Sequence, residues 1–224
     1  VVTLRISSLC ILLLLAVSSA FASDFHLVIG EVYSHTVMSE EGARFVELYN
    51  PLEYSVDLSG WRLEIQFGEE EGLNAVYFDE GSIIPTYGFF LIGISTDMGT
   101  WPGDWPFPDI TTYDILMDSL DSGVRLVGGG DEIVDIIGWG AVSDNEFYEE
   151  APQINPAMGS SIERKSGMVH SEYQGNSWDT DNNFNDTFIR EEPQPQNTDS
   201  PPEDPSASVQ EHSVGILKAL YGIP

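Results

Sequence analysis

Between residues 45 and 63 the chain reads FVELYNPLEYSVDLSGWRL, an alternation of apolar and polar positions interrupted once. Phe45, Glu47 and Tyr49 point one way and Val46, Leu48 and Asn50 the other, the period of two that a strand with two distinct faces requires, and one of those faces must be core. Asn50-Pro51 ends the pattern, since proline has no amide to donate and drives its predecessor towards extended or turn geometry. Val56, Leu58, Trp61, Leu63 and Ile65 form the returning apolar set, and Ser59-Gly60 permits a kink that drops Trp61 inside. This stretch predicts a β-hairpin with Trp61 as the plug of the core.

Similar patterns predict further strands. Residues 25–36 alternate around an interrupting Glu31, residues 75–78 and 88–94 are short apolar runs, and 124–127 with 133–138 flank a Gly128-Gly129-Gly130-Asp131 turn. That triple glycine is no phosphate loop, because strand residues follow it where a Lys and a helix would be needed. Residues 141–158, with Glu146, Glu149 and Glu150, read as an irregular surface crossing, and 159–165 return to strand. Beyond Pro193 the text PQPQNTDSPPEDPS has too little apolar surface to fold. The expectation is one all-β domain over 23–198, a disordered linker over 199–213 and a short apolar tail over 214–224.

FVELYNP followed by VDLSGW resembles the opening motif of the lamin tail domain. VIGEV at 28–32 resembles that family's first strand and residues 133–139 a late one, while SIERK at 161–165, DTDNN at 179–183 and PQPQN at 193–197 resemble its closing motifs. The resemblance covers roughly residues 25–197, with Arg44 standing where members often carry an acid. It implies an immunoglobulin-like β-sandwich of the secreted prokaryotic type, with Glu31, Glu47, Asn50 and Trp61 as its structural motif residues. Glu31 and Glu47 are expected to be neighbours whose carboxylates either accept backbone amides or hold a cation. A catalytic carboxylate pair is the alternative, but sequence spacing does not set the separation such chemistry needs.

Charge narrows the partners. Among 224 residues, 37 acidic against 8 basic side chains give a net charge of −29, with Lys165 and Lys218 the only lysines. Such a field repels DNA, RNA and anionic lipid, so the chromatin association of nuclear lamin tails does not carry over; cations and neutral ligands fit better. Arg5, the apolar run 9–17 and Ala20-Phe21-Ala22 have the order of a secretory signal over 1–22, too short to span a bilayer. Cleavage after Ala22 would remove Cys10, leaving a secreted or cell-surface chain without thiol chemistry or a membrane span.

Two stretches carry candidate ligand chemistry. TWPGDWPFPDI at 100–110 sets Trp101, Trp105 and Phe107 among prolines, which predicts a loop whose rings either stack on a ligand or fold over one end of the sheets. From 179 to 186, DTDNNFND places oxygen-bearing side chains at short intervals, so Asp179, Asp181, Asn183 and Asp186 are the candidate calcium ligands, and an Asx-rich turn capping its own backbone is the alternative. The histidines show no zinc spacing and no G-x-S-x-G nucleophile turn is present. The expected function is a secreted non-catalytic binding or adhesion module for an extracellular protein or glycan. A structural spacer of a surface assembly, or a carboxylate-dependent hydrolase, are the alternatives.

Overall fold

Runs of Val, Ile, Leu and Phe separated by Gly, Pro and Asn leave the backbone few choices other than strand and turn. A computed structural model describes residues 26–34, 42–67, 72–94, 101–113, 115, 117, 120–141 and 147–206; the expected signal segment and apolar tail lie outside these residues. The strands are β1 (Val28–Tyr33), β2 (Arg44–Tyr49), β3 (Val56–Asp57), β4 (Arg62–Phe67), β5 (Gly72–Tyr77), β6 (Ile83–Ile84), β7 (Phe89–Ile94), β8 (Ile110–Thr112), β9 (Ser122–Val127), β10 (Ile133–Trp139), β11 (Ser161–Arg164) and β12 (Thr187–Arg190). One helical turn, α1 (Asn183–Asp186), precedes β12. The fold is all-β, as the patterning predicts.

Six strands form one sheet in the order β12-β11-β1-β2-β7-β8, four form a second in the order β10-β9-β4-β5, and β3 pairs with β6 as a small ribbon. All pairs are antiparallel except β7 with β8. One apolar core joins the sheets: Ile29, Val32, Val46, Leu48 and Ile92 come from the larger, and Leu63, Ile65, Val124, Leu126 and Ile137 from the smaller.

The predicted hairpin over 45–63 does not form. β2 pairs with β1 and β7, whereas β4 pairs with β5 and β9, so the chain crosses from one sheet to the other. The side chains explain the split. β2 is buried on both faces, with Val46 and Leu48 in the main core and Phe45 and Tyr49 in clusters on the far side, so it belongs inside the larger sheet. β4 alternates apolar Leu63 and Ile65, facing the core, with Arg62, Glu64 and Gln66 on a polar outer face where Glu64 is buried beneath Arg62 and Arg125. Asn50 fixes the departure: its Nδ2 donates to the Tyr54 carbonyl at 2.9 Å and the Pro85 carbonyl at 2.8 Å, and its Oδ1 accepts the Leu52 amide at 3.0 Å.

Trp61 is likewise not the plug. It is half-buried at the rim of the core, while Leu58 and Trp139 are fully enclosed. The indole of Trp61 lies beside Gly129 in the β9–β10 turn, which closes through Asp131 N–H to the Gly128 carbonyl at 3.1 Å.

The expected linker does not begin at 199. Residues through Glu203 stay on the domain: Thr198 N–H donates to Asp109, the Glu203 amide donates to the Tyr87 carbonyl at 2.8 Å, and the Tyr49 hydroxyl donates to the Glu203 carbonyl. Composition reads this segment as unable to build a core of its own, and it builds none; it docks on one already formed.

Between the sheets lies an ion pair with both side chains fully buried. Arg164, on the inward face of β11, donates from Nη2 to both oxygens of Asp135 on β10, at 2.7 and 2.8 Å. Both β1 and β10 depart from regular register here, β1 between Ile29 and Glu31 and β10 between Ile133 and Asp135. The irregularities release ladder groups for side chains: the Ile29 amide donates to Asp135 Oδ2 at 2.5 Å, and the Ile29 carbonyl accepts Arg164 Nε at 3.0 Å. The Trp178 carbonyl and Asp179 accept from Nη1, each at 3.1 Å.

Removing one member of such a pair leaves a charge in a dry interior, which costs about 3–5 kcal/mol. Arg164→Leu is therefore expected to lower unfolding free energy by that amount in urea titrations, and Arg164→Leu with Asp135→Leu to recover most of it. A single substitution that shifts stability by less than about 1 kcal/mol would show that the pair does not hold the sheets together.

Candidate functional site

The larger sheet has a second buried face, turned away from the core. In register across three adjacent strands stand Glu163 of β11, Glu31 of β1 and Glu47 of β2. All three are buried, and like charges directly opposite on neighbouring strands repel. Along the strands the row is flanked on one side by a cluster of Tyr33, Phe45, Leu91 and Trp101 and on the other by Val28, Tyr49 and Phe89.

A strap over residues 193–203 covers the row. In extended backbone successive amides point to opposite sides, and in Pro193-Gln194-Pro195-Gln196 the prolines occupy the positions that donate nothing. Gln194 N–H donates to Glu31 Oε1 at 3.3 Å and Gln196 N–H to Glu47 Oε2 at 2.6 Å. Glu31 Oε1 also accepts the Ser161 hydroxyl. Space for Glu47 comes from Gly30, where a Cβ would lie 2.7 Å from Glu47 Oε1. The strap is closed by Gln196 Nε2 on Glu203 Oε1 at 3.0 Å and by Asn197 Nδ2 on the Phe107 carbonyl at 2.9 Å.

Compensation along the row is unequal. Arg190 of β12 pairs through Nε with Glu163, and its Nη2 donates to Glu163 Oε1 at 3.0 Å and Glu172 Oε2 at 2.7 Å. Asn176 Nδ2 adds a bond to Glu163 at 3.2 Å. Among the described residues, Glu31 and Glu47 have amides and a hydroxyl as direct partners and no ion pair. Burial pushes the Glu31 carboxyl up to about 7, partly offset by the Ser161 and Gln194 bonds. Burial, then the charge of Glu31, raises Glu47 well above the ordinary range. Beside Glu31 opens a cleft of about 400 Å³, walled by Trp105, the Pro193–Gln196 part of the strap, Glu172, Arg190 and Glu203, with Asp104 among its lining residues.

The structure thus brings Glu31 and Glu47 together, each accepting a backbone amide. It divides the aromatic trio. Trp101 is buried and donates from Nε1 to the Pro106 carbonyl at 3.2 Å; Trp105 is half-buried, edge-on to Tyr33 at 5.4 Å and Phe45 at 5.3 Å; Phe107 is exposed. Of the three only Trp105 reaches the cleft. Glu163, Glu172, Arg190, Glu203 and Asp104 were not singled out from sequence, because only strand register and strap docking assemble them.

The candidate calcium ligands do not converge. Asp186 Oδ2 accepts the Thr180 and Asn182 amides at 2.7 and 3.1 Å, and its Oδ1 accepts the Thr180 hydroxyl at 2.7 Å. Asn183 Oδ1 accepts the Gly138 amide at 2.9 Å and its Nδ2 donates to the Ile136 carbonyl at 2.8 Å. Asp181 is exposed at φ 56°. Asn182 caps α1, accepting the Asn185 amide at 3.0 Å. The stretch is an Asx-rich cap: Asp186 and Asn182 bind its own backbone, while Asn183 and Asp179 bind neighbouring elements.

Among the described residues, the one group of three potential ligand atoms lying close together is His26, Asp135 and Asp179. Asp179 receives His26 Nε2 at 3.2 Å and Arg164 at 3.1 Å. Burial works against its charge, but His26 and Arg164 outweigh that and hold its carboxyl well below the usual range. The guanidinium already supplies the positive charge a metal would bring, and a dication would be repelled by it.

The raised Glu31 value has a definite sign. Its carboxyl holds a proton in the folded state up to about 7 and in the unfolded chain only to its ordinary 4.5, so this stability is present in full below 4.5 and is lost as pH rises through 7. The loss between pH 5 and 8 is roughly 2.5 kcal/mol. Glu31→Gln keeps an oxygen for Ser161 and Gln194 without the ionisation, so its urea midpoint should fall less steeply over that interval. Parallel curves for the two proteins would show that Glu31 does not titrate this way.

No protein-family model matches the chain, and no curated protein matches it either.

Proposed function

We propose that the chain is a secreted, non-catalytic binding module, an immunoglobulin-like sandwich of lamin-tail type, and that its ligand surface is the strapped outer face of the larger sheet. The observation that carries this reading is the cleft beside Glu31, a concave site with an aromatic wall and carboxylates in excess of its single guanidinium. The lamin-tail resemblance draws support from where its motifs fall: FVELYNP spans β2 and the Asn50 turn, SIERK spans β11, DTDNN runs into the capped turn and PQPQN forms the strap. Each motif has a structural task in a two-sheet fold.

The same geometry speaks against hydrolysis. Glu31 and Glu47 each hold a strap amide, so a polymer cannot lie across both without displacing the strap. Nucleic acid fits poorly as a partner, because the described cations are engaged within the chain: Arg44 donates to the Ser34 carbonyl, Arg62 and Arg125 share Glu64, Arg164 binds Asp135, Arg190 binds Glu163 and Lys165 donates to the Asn185 carbonyl. No helix among the described residues is long and apolar enough to cross a membrane. The assembly-unit alternative rests on β5, the outer strand of the smaller sheet, which exposes Leu73 and Tyr77.

Expression with export should yield a chain beginning at Ser23, read by intact mass. That chain should bind partners on protein or glycan arrays and turn over nothing in a polysaccharide and peptide hydrolase panel. Trp101→Ala should act as a core truncation, costing about 3–5 kcal/mol in unfolding free energy. Turnover that disappears in Glu31→Gln would overturn the binding-module reading, and a concentration-dependent oligomer dispersed by a charge at Leu73 would favour the assembly unit.

A further inference from the structure

We infer that the cleft beside Glu31 is a receptor for a primary ammonium group on an alkyl stem, the chemistry shared by a lysine side chain and a free diamine. The inference rests on the binding-module reading and names the ligand class for its site. Glu31 is only 2% exposed and lines the cleft. Its Oε1 accepts both the Ser161 hydroxyl and the Gln194 amide, while its Oε2 accepts no hydrogen bond from any described residue. That oxygen is not fully enclosed, so a donor entering the cleft can reach it, and a donor that is also a cation compensates the carboxylate charge. The neighbouring Glu163 has its cation in Arg190, and that same guanidinium also reaches Glu172. Five carboxylates, of Glu31, Asp104, Glu163, Glu172 and Glu203, line the cleft with that one guanidinium.

Three features select an alkylammonium over other cations. A guanidinium binds best through two parallel bonds to both oxygens of a carboxylate, and Glu31 has only one oxygen free. A hard metal ion needs six or so converging oxygens, whereas the close three-ligand group among the described residues lies elsewhere, at His26, Asp135 and Asp179. Trp105, held edge-on by Tyr33, Phe45 and Trp101, gives the cleft an aromatic wall along which methylenes can pack and over which an ammonium is attracted. Asp104, exposed on the aromatic loop, offers a second carboxylate for the far end of a diamine.

The test is titration of the full mature chain, at fixed ionic strength, with cadaverine, with Nα-acetyl-lysine methylamide, with the corresponding arginine compound and with calcium chloride. Calorimetry reads affinity, and the Trp105 indole resonance in the wild type locates the site without any variant. Saturable binding of cadaverine or the lysine compound that moves the Trp105 resonance is expected, weakened at least about tenfold by Glu31→Gln. Asp104→Asn, an exposed change, should weaken cadaverine by roughly two- to threefold and the lysine compound less, which separates a diamine ligand from a side-chain ligand. Because Glu31 must be ionised, affinity should rise roughly tenfold from pH 6 to pH 8; the groups facing it are Glu47 of β2, Glu163 of β11, Arg190 of β12, Glu172, Glu203 of the strap and Asp104.

Absence of saturable amine binding at about 10 mM would overturn the assignment. So would tighter binding of the arginine compound or calcium at the Trp105 resonance, or equal amine affinity in a folded Glu31→Gln protein. If amines fail while the hydrolase panel stays silent and another array member binds, only the ligand class falls; turnover lost in Glu31→Gln removes the module reading with it.

Discussion

The Arg164–Asp135 pair is the constraint on which the rest of this structure depends. Full burial of both ions is tolerable only because the carboxylate also receives the Ile29 and Ile136 amides and the guanidinium also reaches the Ile29 and Trp178 carbonyls. Those bonds need backbone groups not committed to a ladder, and the register irregularities of β1 and β10 provide them. The bonds tie β11, β1 and β10 together across the core. With β1 and β11 so placed, Glu31 and Glu163 fall into line on the opposite face. The outer site thus depends on a contact on the other side of its own sheet.

The outer face shows how a fold accommodates repulsion. Three glutamates in register would be unfavourable as three anions. One is matched by Arg190, and the other two are covered by the strap's amides, with burial favouring their protonated forms. Proline makes the covering specific, since a strap with amides at every position would turn half of them away from the carboxylates with no partner.

Much of the fold was legible because alternation reports local geometry. The buried run at 88–94, the paired runs around Gly128-Gly129-Gly130 and the end of β2 at Asn50 all follow from period and turn chemistry. Pairing did not follow. Residues 45–49 and 62–67 look like hairpin partners, yet the first packs apolar side chains on both faces and the second on one, and only the arrangement of other strands separates them. Trp61 has the better local signal, but depth is set by the facing sheet, which encloses Trp139. At the site, Glu31 and Glu47 could be paired in advance through the lamin-tail resemblance, whereas Glu163 and Arg190 required the register of β11 and β12. The DTDNNFND stretch misled because oxygens that hold a cation and oxygens that cap a backbone share one sequence signature.

The strap docks on carboxylates that paired strands bring together, and that dependence bears on kinetics. Its glutamate partners come from β1 and β2, so the two amides find them together only once those strands are paired. Contacts made this late are absent from the transition state for forming the sheets, and changes to such contacts appear in the rate of unfolding. Loosening Gln194 or Gln196 from the glutamates is expected to shorten the lifetime of the closed domain more than it slows sheet assembly. The lifetime of the domain and the shape of the cleft are therefore set by the same few amides.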